Sequence, residues 1–93
     1  MKRRCKILNL KETAQMMESE NYREHFLAEY LQTKIRLEKL KIMVNAYEKN
    51  LLSFKPICPL SILHEQIESM EEYLNVLERR AEIEKIDLPA EIN

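Results

Sequence analysis

The chain has 93 residues, is 45% apolar and 33% charged, and so fits one compact helical unit and is too apolar for a disordered segment. Lys and Arg number 15 against 16 Asp and Glu, a net charge of -1, so a globally basic nucleic-acid binder is not indicated. Glycine is absent, which excludes the P-loop, the dinucleotide-binding glycine fingerprint and the G-x-S-x-G nucleophile turn, since each needs closely approaching backbone or positive φ.

The chain opens on the basic run Lys2-Arg3-Arg4-Cys5-Lys6, followed by Ile7-Leu8-Asn9-Leu10. That apolar stretch is too short for a signal sequence. Residues 1–20 read as a basic lead-in. Asn9 with Glu12 fits a helix N-cap and predicts a short helix over about 10–18; a short strand over Arg4–Leu10 is the alternative.

Residues 21–93 read as a helical hairpin. The first long helix is expected over about 21–50, with Asn21 and Glu24 spaced as a capping box. Its apolar positions are Phe26, Tyr30, Thr33, Leu37, Leu40, Val44, Tyr47 and Leu51. Alternating steps of four and three make this a heptad seam. A flanking row of Leu27, Leu31, Ile35 and Ile42 widens it. Asn50 is the expected stop, because Asn tolerates the left-handed conformation.

Residues 52–58 form a connector, and Pro59 suits the first turn of the next helix. That helix is expected over about 59–86, with a seam of Leu60, Leu63, Ile67, Met70, Leu74, Leu77 and Ala81, and a second row of Ile62, Tyr73, Val76 and Ile83. Leu88-Pro89 marks its end. Two seams of matching length joined by a short connector predict an all-α fold, a long antiparallel coiled-coil-like hairpin. One hairpin buries one seam and leaves the second rows uncovered, so assembly into a helical-bundle oligomer is expected.

The residues that could carry chemistry are sparse. His64 and Glu68 stand one turn apart, as do His25 and Glu29, but the di-iron bundle signature needs Glu three residues before each His. Tyr22 and Ser61 occupy those places. The only Cys and His close in sequence are Cys58 and His64, with no group to orient the imidazole and no glycine-lined oxyanion site. No catalytic residue, metal site or cofactor is expected. The two cysteines lack paired spacing, and no apolar window reaches the 18 or so residues of a membrane span. A reducing cytoplasm is the expected compartment.

Tyr30, Tyr47 and Tyr73 fall in or beside the seams, where a buried hydroxyl needs a polar partner. Arg36, Gln66, Arg79 and Arg80 are available as partners, and Lys34 shares a heptad position with Lys41. Aromatic faces beside Arg and Lys also suit a nucleotide. The candidate ligand-binding set is therefore Tyr30, Lys34, Arg36, Tyr47, Gln66, Tyr73, Arg79 and Arg80.

The run Phe26-Leu-Ala-Glu-Tyr-Leu-Gln-Thr-Lys-Ile-Arg-Leu-Glu-Lys-Leu40, the connector Phe54-Lys-Pro-Ile-Cys-Pro59, and Leu63-His-Glu-Gln66 with Met70, Tyr73 and Leu77-Glu-Arg-Arg-Ala81 resemble small helical-hairpin proteins encoded by phages and prophages of Firmicutes, with relatives in crAss-like phages. The resemblance covers about residues 22–86. Members of that group are mostly uncharacterised, so no binding residue carries over. It implies an accessory protein made during infection or from a prophage; with that context and no catalytic constellation, neutralisation of a host immune factor by stoichiometric binding is the expected function. The partners expected are a second copy of the chain and either a signalling nucleotide or a host defence protein such as a CRISPR effector. A structural coiled coil for assembly is the third reading.

Overall fold

The computed structural model describes residues 9–89. The basic cluster Lys2, Arg3, Arg4 and Lys6, together with Cys5 and most of the alternative strand, lies outside them. Three α-helices make up the regular structure of the described residues: α1 (Leu10–Met17), α2 (Tyr22–Glu48) and α3 (Leu60–Glu84). The all-α hairpin expected from the paired seams is present. No helix among the described residues is long and apolar enough to cross a membrane.

α1 begins in a complete capping box. Asn9 Oδ1 accepts from the Glu12 N–H at 2.8 Å, and Glu12 Oε1 accepts from the Asn9 N–H at 3.1 Å. Asn21 caps α2 in the same way, accepting from the Glu24 N–H at 3.1 Å. The return half of that box is made differently: the Asn21 N–H donates to Ser19 Oγ at 3.0 Å. Pro59 takes the N-cap of α3 rather than its first turn, with φ −69 and ψ 153.

Both long helices stop without glycine. Asn50 (φ 58) and Lys85 (φ 60) adopt the left-handed conformation. In each case the next N–H reaches back over the last turn: Leu51 to the Ala46 carbonyl at 2.8 Å, and Ile86 to the Ala81 carbonyl at 2.9 Å. α3 thus ends four residues ahead of Leu88-Pro89. The left-handed Lys85 turns the chain so that Ile86 enters the core, and this burial offsets the cost of the conformation.

α2 is the central element, with α1 and α3 both packed on it. The core gathers Phe26, Tyr30, Leu31 and Leu37 of α2 with Leu74, Leu77 and Ala81 of α3, closed by Ile86. Leu77 is fully buried, a burial worth about 1.5–3 kcal/mol for such a side chain. Thr13 anchors α1. It is fully buried, donates to the Leu10 carbonyl at 2.7 Å and accepts from Gln32 Nε2 at 3.5 Å.

The seams differ from expectation at one end. Leu51 is 72% exposed and lies beyond α2, so the α2 seam closes at Tyr47. The second rows also part company. On α2, Leu31 is buried and Leu27 and Ile35 are half-buried within the single chain while Ile42 is exposed, whereas Ile62, Tyr73, Val76 and Ile83 on α3 are all exposed.

Candidate functional site

Polar rungs cross between α2 and α3 along the length of the hairpin. At its open end Tyr22 donates to Glu84 Oε1 at 2.7 Å and accepts from Arg80 Nη2 at 2.8 Å. The Arg80 guanidinium lies 4.9 Å from the centre of the Phe26 ring. Hydrogen bonding to Tyr22 raises the Arg80 pKa above its ordinary value. Arg23 Nη1 donates to the Lys85 carbonyl at 3.0 Å, where a cation meets the negative end of the α3 dipole.

In the middle of the hairpin the tyrosines turn to carboxylates. Tyr30 donates to Glu78 Oε2 at 2.9 Å, and Lys34 Nζ donates to the same phenolic oxygen at 3.4 Å. Burial first, and then the hydrogen bond to Glu78, push the Tyr30 pKa up to about 12. Tyr73 donates to Glu29. The partners expected from the sequence were Arg36, Gln66, Arg79 and Arg80. Only Arg80 bonds a tyrosine, and that tyrosine is Tyr22. Arg and Gln lost this role because the antiparallel register sets Glu29 and Glu78 across from the phenols. Further along, Lys41 pairs with Glu71 at 2.8 Å, which raises the Lys41 pKa. Lys34 and Lys41, which share a heptad position, are thus each tied to a neighbour.

At the connector end His64 Nε2 meets Glu48 Oε2 at 2.6 Å. His64 is therefore turned toward α2, and the Sγ of Cys58 lies 3.7 Å from the Pro59 carbonyl oxygen. Among the described residues no group of three or more His, Cys, Asp or Glu side chains is placed to hold a metal ion.

Beside that rung the chain folds over itself and leaves a cavity of about 390 Å³. Tyr47 and Asn50 line it from the end of α2, and Leu52, Ser53, Phe54, Lys55 and Pro56 from the connector. The local sequence explains its shape. The left-handed Asn50 ends α2 sharply, and Pro56 and Pro59 restrict the returning backbone. The lining combines two aromatic rings, a lysine ammonium, an amide and a hydroxyl. Those groups can stack on a planar ring, hydrogen-bond its edge and hold an anion.

The eight candidate ligand-binding residues are not brought together. Tyr30 and Lys34 form one couple, and Tyr73 faces Glu29. Arg80 belongs to the open end of the hairpin, and Tyr47 to the cavity. Gln66 Nε2 donates to Met70 Sδ at 3.8 Å, while Arg36 and Arg79 are exposed. Phe54 and Lys55 escaped the sequence reading because the connector has no periodicity to mark them, although an exposed aromatic next to a lysine was a usable signal.

The described residues thus form a two-helix hairpin with a third helix on its flank, an open cavity lined by rings and a cation, and polar rungs made by surface side chains. A family model described as Sequestin matches residues 20–83, more than two thirds of the chain. The chain belongs to the Sequestin family. That name denotes sequestration, a role in binding a partner. No curated protein and no solved structure matches the chain.

Proposed function

We propose that this protein is a non-enzymatic phage or prophage accessory protein that acts in the host cytoplasm, where it neutralises a host immune factor by stoichiometric binding. The factor is a signalling nucleotide held at the connector-end cavity. The observation that carries this reading is the convergence of Tyr47, Phe54 and Lys55 around about 390 Å³ of open space, within the usual range of small-ligand pockets. The rings stack on the base, Asn50 and Ser53 meet its polar edge, and Lys55 holds the phosphate. Family membership supports a binding role, and the resemblance of residues 22–86 to phage-encoded hairpins, read from the sequence, supports the setting. The protein also associates with itself in this reading.

Calorimetry against cyclic di- and trinucleotides and cyclic ADP-ribose isomers tests it. Saturable binding that weakens with salt and is lost in Lys55→Glu is expected. Silence across the panel overturns the nucleotide.

A second reading has its own observation. Leu51, Phe54 and Ile57 are all exposed at the connector end. Three neighbouring apolar side chains suit docking to a host defence protein. A host effector that copurifies stably, with no small molecule bound, would favour that alternative.

A further inference from the structure

The outward side of α3 has an organisation that the fold does not use. Ile62, Val76 and Ile83 recur at multiples of seven residues, with Ser69 completing the row and Tyr73 beside it. All four apolar members are exposed, Ile83 at 79%. At about 100° per residue this row lies roughly a quarter-turn from the face that meets α2. No helix among the described residues covers it, because α1 and α3 pack on α2 from different sides. The charges bordering the row are ordered: Glu65 and Glu72 flank its first half and Arg79 its second, all three exposed.

We infer that this face of α3 is an interface for a second copy of the chain, with the two α3 helices antiparallel about a two-fold axis between Tyr73 and Val76. An edge that is acidic in one half and basic in the other complements itself only when its copy runs the opposite way. In that register Tyr73 faces the partner's Val76 and the reverse, and Glu72 faces the partner's Arg79 at two symmetric places, as an isologous contact requires. A parallel arrangement stacks Arg80 on the partner's Arg80. A slip of one heptad sets Glu72 against the partner's Glu72 in one direction and Arg79 against the partner's Arg79 in the other. Charge matching selects the first register, and the Tyr73–Val76 contacts fill its centre. Gln66, Tyr73, Arg79 and Arg80 then gather along one seam between the two chains. The inference rests on the self-association proposed above and is independent of the nucleotide.

Light scattering on the full chain tests the pairing. Wild type is expected at about twice its 11.2 kDa chain mass at micromolar concentration. Glu72→Arg and Arg79→Glu, each placing like charges at two symmetric contacts, are each expected to weaken the dimer about tenfold. The double reversal restores it, and Val76→Glu abolishes it. All these side chains are exposed in the single chain, so helix content by circular dichroism stays at the wild-type value. A monomer at every concentration overturns the self-association itself, as does a monomer that holds a host protein on this face. A trimer or larger ring, or a dimer indifferent to both single reversals and to Val76→Glu, overturns the α3 pairing alone.

Discussion

His64 on α3 meets Glu48 on α2 at 2.6 Å, sixteen residues apart in sequence and across the hairpin, while Glu68, one turn along its own helix, is left aside. The rung clamps the last turn of α2 to the second turn of α3, close to the connector that forms the cavity. Both side chains are close to half exposed, so the pair is a positioning contact more than a source of stability. Glu48→Gln is expected to lower global stability by less than about 1 kcal/mol. The same substitution should loosen the cavity, raising ligand Kd more than it lowers Tm. A fall in Tm with ligand affinity intact would contradict this assignment.

Tyr30 keeps its proton unusually late, with a pKa pushed up to about 12 by burial and by Glu78. The folded state therefore holds a proton that the unfolded chain releases near the ordinary tyrosine pKa of about 10. Stability from this group is complete below pH 10 and is lost as pH rises toward 12. Alkaline titration followed at the tyrosinate absorbance band should show a late step that coincides with unfolding and disappears in Tyr30→Phe. At neutral pH that variant loses one hydrogen bond to a charged acceptor, about 1–2 kcal/mol.

Lys85 sits at φ 60 and ψ 45, a conformation that costs a residue bearing a Cβ about 1–2 kcal/mol. Lys85→Gly is expected to stabilise the protein by about 0.5–1 kcal/mol, after allowing for the greater freedom of glycine in the unfolded chain. In a domain of this size that raises Tm by several degrees. Asn50→Gly should gain less, because Asn tolerates the left-handed region.

Leu77 and Leu51 separate the true seam from its apparent continuation. Leu77→Ala should cost about 2–5 kcal/mol, since the side chain is fully buried against α2. Leu51→Ala should stay within about 0.5 kcal/mol. Chemical denaturation of the two variants side by side checks the register.

The helices were legible because their apolar residues recur with a helical period, and Asn9, Asn21 and Asn50 are residues that cap and stop helices for stated physical reasons. Three features were not legible. The docking of α1 depends on a buried threonine, Thr13, which no apolar pattern announces. The phenol partners depend on how two helices align, and helical periodicity says nothing of that alignment, so neither Glu29, noted only for its spacing from His25, nor Glu78 stood out from the 16 acidic residues as a tyrosine partner. The cavity is made by irregular backbone between Asn50 and Pro56, where position follows from turn geometry alone.

Sequestration without turnover is the central claim, and one measurement reaches it directly. The folded protein is incubated with extract from infected cells, washed, and heat-denatured, and the released small molecules are identified and quantified by mass spectrometry. The account predicts an intact, chemically unaltered signalling nucleotide in a fixed ratio to the protein, absent when Lys55→Glu is used in its place. A cleaved or modified nucleotide would contradict the claim, as would no retained small molecule alongside a tightly bound host protein.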